Sequence, residues 1–231
     1  MNNSDYTVIM PFFNEERTLK LALSNLIKEN FASEIILVND GSTDASFEIA
    51  TTFSNQYNFI KLINSKENKG KGYAVRLGIN QATKKYIGIL DADLEYFPYD
   101  LKNLFNEINL NNLDLVCGSR FIGKDERKNL YLRTFMANKF LSKLFSVVYR
   151  KKVTDIATCL KVFNKDKINE ITFEANGFSI EVELLAKTLY LTDKYKEYPI
   201  TYSARSYEDG KKIKLVDGFK YIFAILKYRK N

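Results

Sequence analysis

Tyr86-Ile87-Gly88-Ile89-Leu90-Asp91-Ala92-Asp93 is a short apolar run that ends on two carboxylates. Five apolar residues bounded by polar ones give a strand buried on both faces, too short for a helix. On its N-terminal side, apolar runs and helical patterns alternate. Tyr6 to Met10 reads as a strand and Glu16 to Lys28 as an amphipathic helix. Glu34 to Val38, Asp44 to Tyr57, Phe59 to Asn64 and Gly72 to Ala82 continue the alternation of strand and helix. On its C-terminal side, Pro98 suits the first turn of a helix reaching Asn111, and Leu113 to Cys117 follows as a strand. The rhythm predicts an α/β protein with a mostly parallel central sheet and helices on both faces. Ligands in such sheets bind beyond the carboxyl ends of the strands, so the residues after each strand are the functional candidates.

Composition narrows the chemistry. The 231 residues carry 35 Lys and Arg against 28 Asp and Glu, a formal charge of +7, and contain no histidine. Imidazole bases and histidine metal sites are excluded, which leaves carboxylates, cations, backbone dipoles or a metal held by oxygen. The basic excess is confined to two segments: residues 120–152 carry +8 and residues 204–231 carry +5, so the other 170 residues sum to −6. The aromatic residues among the basic ones form no recognisable RNA motif, and the region after the strands is acidic where a nucleic acid would bind, which argues against nucleic acid as a partner. In the first basic segment, Lys139, Ser142, Lys143, Ser146 and Arg150 are expected on one helical face. Phe140, Leu141, Leu144, Phe145, Val147 and Val148 fall on the other. Val216, Phe219, Phe223 and Leu226 make a second apolar stripe beside Lys220, Lys227, Arg229 and Lys230. Both patterns suit amphipathic helices on an anionic membrane surface. The expected organisation is a catalytic domain over 1–214, with 120–152 as a basic amphipathic helical insertion, and a C-terminal amphipathic helix over 215–231.

Cys117 and Cys159 lie 42 residues apart without metal-ligand spacing, so two reduced thiols of a cytoplasmic protein are expected. No signal peptide is legible in Met1 to Asp5. The most apolar long segment, Leu130 to Tyr149, contains Arg133, Lys139 and Lys143. A charge at a bilayer centre costs about 3 kcal/mol on insertion scales, so this segment is not expected to cross a membrane.

Of the candidate residues, Asp91 and Asp93 stand first. At positions i and i+2 of an extended strand end they project to one side and can share a hard cation, Mg²⁺ or Mn²⁺, whose remaining ligands a diphosphate would supply. Asp40, after the second strand, suits a nucleobase N–H or a turn. Gly70-Lys71-Gly72 opens a helix where exposed amides and a lysine suit phosphate. The segment lacks the third glycine of a dinucleotide fingerprint, which excludes a dehydrogenase of that type.

Taken together, Pro11-Phe12-Phe13-Asn14-Glu15-Glu16, Val38-Asn39-Asp40-Gly41-Ser42, Asn68-Lys69-Gly70-Lys71-Gly72, Asp91-Ala92-Asp93-Leu94 and Gly118-Ser119-Arg120-Phe121 resemble glycosyltransferase family 2 in order and spacing. Thr158-Cys159-Leu160-Lys161-Val162-Phe163, Gly177-Phe178 with Glu181 and Glu183, and Tyr202-Ser203-Ala204-Arg205-Ser206 resemble its dolichol- and polyprenyl-phosphate hexosyltransferase branch. The resemblance implies a GT-A fold and inverting transfer from a nucleoside diphosphate sugar, UDP- or GDP-linked, with a divalent cation. It places Pro11, Asn14, Glu15, Asp40, Lys71, Asp91, Arg205 and Lys211 or Lys212 around the donor, and Asp91 and Asp93 on the metal. Arg120 and Arg133 would hold the phosphate of a polyprenyl acceptor, and Asp155 is a further catalytic candidate. Asn39 departs from the family pattern, where aspartate is common, and removes one formal charge. A lipid phosphate, with a second pKa of about 6, needs no general base. A sugar hydroxyl acceptor, in glycolipid or surface polysaccharide assembly, would need Asp155, Glu181 or Glu183 as base. A protein that binds nucleotide sugars without catalysis is the alternative of another class. The location implied for the enzyme is the cytoplasmic face of a membrane, in peripheral contact with it.

Overall fold

The computed structural model describes residues 5–123, 127–128, 132–205 and 215–229. The first half follows the expected alternation: β1 (Tyr6–Phe12), α1 (Leu19–Lys28), β2 (Glu34–Asp40), α2 (Ser46–Gln56), β3 (Ile60–Ser65), α3 (Lys71–Gln81), β4 (Tyr86–Ile89), α4 (Pro98–Leu110) and β5 (Leu115–Ser119). The second half contains β6 (Arg127–Lys128), α5 (Leu132–Tyr149), β7 (Lys161–Asn164), α6 (Lys165–Ile168) and α7 (Ile180–Leu191). β8 (Tyr195–Pro199), β9 (Tyr202–Ser203) and α8 (Leu215–Lys227) complete it. Seven strands form one sheet in the order β3-β2-β1-β4-β7-β5-β8, and β6 pairs with β9 in a separate ribbon. All pairings in the large sheet are parallel except those of β7, which runs antiparallel between β4 and β5.

Strand periodicity sorts the core into two layers. Tyr6, Val8, Met10 and Phe12 of β1, with Ile35 and Leu37 of β2, face Leu19, Leu23 and Leu26 of α1 and Leu101, Leu104 and Phe105 of α4. Ile9, Ile36, Val38, Ile87 and Ile89 point the other way, toward Ala74, Val75 and Ile79 of α3. Burying each large aliphatic side chain contributes about 1.5–3 kcal/mol, so the two layers hold the sheet without help from either cysteine. Cys117 and Cys159 are free and buried, as expected.

The two basic segments differ from expectation. In α5 the buried residues are Leu141, Ser142, Phe145 and Tyr149. They share the second layer with Tyr221, Ala224, Ile225 and Tyr228 of α8. Ser142 and Ser146, placed on the polar face by the sequence pattern, turn inward because their hydroxyls accept the amides of Ile156 and Val153. Phe140 and Val147 are exposed instead. In α8 the stripe Phe219, Phe223 and Leu226 is exposed while the opposite side packs on the domain, so this helix presents apolar residues to both sides. No helix among the described residues is long and apolar enough to cross a membrane.

Candidate active site

The carboxyl ends of β1, β2 and β4 open onto a cleft of about 240 Å³. Its walls include Pro11, Glu15, Asp40, Lys71, Asp91, Asp93, Arg120 and Arg205, so most of the candidates distributed along the chain converge there. The floor is the segment after β4. Leu94 adopts a left-handed backbone, φ 63°, which costs a bulky residue of the order of 1–2 kcal/mol. The turn it makes lets the Glu95 amide donate to Asp93 Oδ1 at 3.0 Å.

Four charged groups face one another across this floor. Lys71 Nζ lies 2.8 Å from Asp91 Oδ2, and Arg205 Nη2 lies 3.2 Å from Asp93 Oδ2. Arg205 also reaches Glu15 Oε2 at 3.1 Å, and its own amide donates to Glu95 Oε1 at 2.9 Å. Burial, with Asp91 and Glu95 close by, pushes the Asp93 carboxyl up to about 7 despite Arg205. Crowded, desolvated carboxylates of this kind mark functional sites more often than structural ones. Among the described residues no three acidic or thiol groups converge as a self-sufficient metal cage. The two aspartates nevertheless fit a hard cation shared with a diphosphate, because their oxygens line the cleft in an excess of negative charge that such an ion would relieve.

Several candidates have other duties. Asp40 lines the cleft, but its two oxygens accept the amides of Lys69 and Gly70 at 2.9 and 2.8 Å, fixing the loop before α3. Of the Gly70-Lys71-Gly72 amides expected to meet phosphate, that of Gly70 is spent on Asp40 and that of Gly72 on the backbone of Asn176. Those of Gly72 and Tyr73 donate to Asn176 O, and a Cβ on Gly72 would stand 2.3 Å from Ala175 O. The glycine at 72 is required by this close approach of two backbone segments. Asn14, expected beside the nucleotide, is exposed and ties the loop after β1 to the loop after β2. Its Oδ1 accepts the Thr43 amide at 2.8 Å, and its own amide donates to Ser42 Oγ. Asn39 donates to Asn64 Oδ1 at 2.8 Å and accepts the Ser42 amide, so it holds the β2 turn without a charge.

Arg120 and Asp155 are each other's partners. Nε and Nη2 of the guanidinium each lie 2.7 Å from a carboxylate oxygen, and the Arg120 amide donates to the same group. The guanidinium also sits 4.9 Å from the Tyr202 ring centroid. Asp155 is fully buried and does not line the cleft. Although burial alone would raise its pKa, the Arg120 charge and hydrogen bonds lower it, so it is a positioning residue and a poor base. Arg133 is exposed at the start of α5, away from the cleft lining. Lys211 and Lys212 lie outside the described residues.

The sequence reading passed over Glu95 and Tyr96 and gave Tyr202, although quoted in a motif, no role at the site. Glu95 accepts both the Arg205 amide and the Tyr202 hydroxyl, and so joins the segment after β4 to β9. A signal existed, since Glu95 continues the two-residue spacing of Asp91 and Asp93.

A mostly parallel sheet with an acidic, cation-lined cleft at its strand ends defines a GT-A fold. The structural comparison agrees: glucosyl-3-phosphoglycerate synthase from Mycobacterium tuberculosis, solved with Mn²⁺, UDP and glucosyl-3-phosphoglycerate, superposes with a TM-score of 0.75. It is 15% identical over 98% of this chain and 80% of its own. The model for "Glycosyl transferase family 2" matches residues 7–172, and the chain belongs to that family of glycosyltransferases. An uncharacterised protein of Methanocaldococcus jannaschii is 30% identical over 98% of this chain and 93% of its own length. The dolichol-phosphate mannosyltransferase of Pyrococcus furiosus is 26% identical over 96% of this chain, which spans 64% of that longer protein.

Proposed function

We propose that this enzyme transfers a hexose, with inversion, from a UDP- or GDP-linked sugar to the phosphate of a polyprenyl phosphate-type lipid, with a divalent cation at Asp91 and Asp93. One observation carries the choice of acceptor. Each carboxylate the sequence offered as a base for a hydroxyl acceptor is already committed inside the protein. Asp155 holds Arg120. Glu181 lies between Lys71 and Lys161, and Glu183 accepts the amides of Glu174 and Ala175 and pairs with Lys187. A phosphate monoester is ionised at pH 7 and needs none of them.

In the reaction, an acceptor phosphate oxygen bonds to the anomeric carbon while the bond from that carbon to the donor diphosphate breaks, and the diphosphate leaves with the electron pair. The cation, when bound, neutralises charge developing on that diphosphate. Lys71 and Arg205 face the same volume and add fixed positive charge where the leaving group forms. Glu95 positions Arg205 through its backbone amide, and Arg120, held by Asp155, presents a pre-oriented cation to the cleft. The named activity of the Pyrococcus relative, acting on dolichol phosphate, supports this reading.

The lipid acceptor requires a membrane, and the exposed faces of α5 and α8 suit contact with one. Leu132, Met136, Phe140 and Val147 of α5 follow helical spacing on the solvent side, as do Phe219, Phe223 and Leu226 of α8. The free thiols suit the reducing, cytoplasmic side. The test is incubation of purified protein with Mn²⁺, radiolabelled UDP- and GDP-hexoses and two acceptors, a polyprenyl phosphate in detergent and soluble saccharides. Label is expected in the lipid fraction. Label only in saccharide would replace this reading with hydroxyl transfer.

A further inference from the structure

The place read as the cation site already has an occupant supplied by the chain. Lys71 Nζ stands 2.8 Å from Asp91 Oδ2 and 2.8 Å from Glu181 Oε1. Behind it, Glu181 Oε2 lies 2.6 Å from Lys161 Nζ. Lys161 and Glu181 are sealed, with side chains 0% and 2% exposed, whereas Lys71 and Asp91 reach the cleft wall at 12% and 21%. Positive and negative groups therefore alternate from the core outward, Lys161, Glu181, Lys71, Asp91, and the row ends on the carboxylate assigned to the metal. Three elements fix it: Lys161 opens β7, Glu181 is in the first turn of α7, and Lys71 is the first residue of α3.

We propose that Lys71 is a resident counter-ion: it neutralises Asp91 in the empty enzyme and must be displaced when the cation enters, with Glu181 keeping the released ammonium paired. This rests on the metal reading above and adds to it how loading is controlled. Lys71 Nζ takes Asp91 Oδ2, and a divalent cation on either oxygen of that carboxylate would stand within a few ångströms of the ammonium, so charge repulsion sets the salt bridge against the metal. A buried ammonium set free without a partner would be costly, and here Glu181 removes that cost. The donor diphosphate, entering with the cation, gives the displaced ammonium a further anion to face across the cleft. Metal alone therefore binds weakly, and metal and donor load together. The arrangement guards against a bare cation occupying the cleft and leaves Lys71 positioned for the leaving group.

The test is titration of Mn²⁺ alone into the full chain, with free Mn²⁺ read from its electron paramagnetic resonance signal, for wild type, Lys71→Met, Lys71→Gln and Lys69→Gln. Lys69 lies on the same loop with an exposed side chain and makes the same change in charge away from Asp91. Both Lys71 variants are expected to bind Mn²⁺ at least tenfold more tightly than wild type, and Lys69→Gln within twofold of it. Lys71→Met leaves Glu181 with Lys161 alone; should it fail to fold, Lys71→Gln decides, because its amide can donate to either carboxylate. Equal affinity in wild type and Lys71→Gln overturns the counter-ion, as does equal tightening in Lys69→Gln, which would mark a general field effect. The metal reading fails separately if Asp93→Ala retains wild-type transfer in EDTA.

Discussion

Two buried carboxylate sites occupy opposite ends of the same sheet, and they are built in opposite ways. At the amino end, Glu34 on β2 has every oxygen accounted for. Thr7 Oγ1 donates at 2.5 Å, Lys61 Nζ at 2.6 Å, and the Thr83 amide and hydroxyl at 2.8 and 2.9 Å. Burial alone would raise its pKa, but the hydrogen bonds from Lys61, Thr7 and Thr83 outweigh it and hold the carboxyl below the usual range. At the carboxyl end, Asp91, Asp93 and Glu95 follow one another at alternate positions, and the middle one is pushed up to about 7 by burial and its neighbours. Glu34 ties β1, β2, β3 and the approach to β4 together. The second cluster also makes cross-links, Asp91 to Lys71 and Glu95 to Arg205 and Tyr202, but it gathers three carboxylates in one place and faces a cleft with them. A satisfied carboxylate stabilises the fold, whereas a crowded one keeps energy in reserve for a ligand.

The strongest way to break this contrast is at Asp93. Asp93→Ala is expected to lower transfer by about 10³-fold, the scale for losing one preorganised electrostatic group. Its melting temperature should equal or exceed that of wild type, since the variant removes a crowded buried charge. A folded Asp93→Ala protein with full activity in EDTA would show that the cluster is not catalytic. Glu34→Ala should do the reverse. It strands Thr7 and the Thr83 amide and leaves Lys61 unpaired, which costs about 2–3 kcal/mol. For a chain of this size that is a fall of roughly 4–12 °C in melting temperature. Turnover per folded molecule should stay within about twofold. A large loss of turnover at unchanged stability would erase the distinction between the two ends.

The same contrast explains what the sequence made legible. β1, β2, β4 and β5 were readable because strands covered on both faces are continuous apolar runs, β3 was readable from its place in the alternation although it lies half exposed at the sheet edge, and the strand-end candidates followed from topology. The second half hid its strands. β7 opens with Lys161, a residue that argues against a core strand until Glu181, twenty positions later, is known to meet its ammonium. β8 reads Tyr-Lys-Glu-Tyr-Pro and lies at the sheet edge, half exposed, without an apolar run to announce it. α5 misled because Ser142 and Ser146 serve buried amides, a use that no periodicity encodes. At the site, strand-end spacing located Asp91 and Asp93, and the family resemblance located Glu15 and Arg205. Partner choice was invisible: nothing local says that Arg120 spends its guanidinium on Asp155 or that the Gly72 amide faces Asn176.

The smallest expected effect separates the two ends by pH alone. The hydrogen bonds to Glu34 hold its folded-state pKa below the ordinary glutamate value of 4.5. Above that value both folded and unfolded chains hold the group ionised, and its contribution to stability is complete. As pH falls toward and through the folded-state pKa, the unfolded chain takes up the proton first and the contribution is lost. Glu34→Gln retains an acceptor and a similar shape but cannot titrate. The gap in stability between wild type and this variant should therefore be constant from pH 7 to about 5.5 and narrow as pH falls below 4.5 toward 3.5. Melting curves of both proteins across that range measure it directly. A gap that held its full size at pH 3.5 would mean that the hydrogen bonds, which Gln replaces imperfectly, and not the charge, make Glu34 structural.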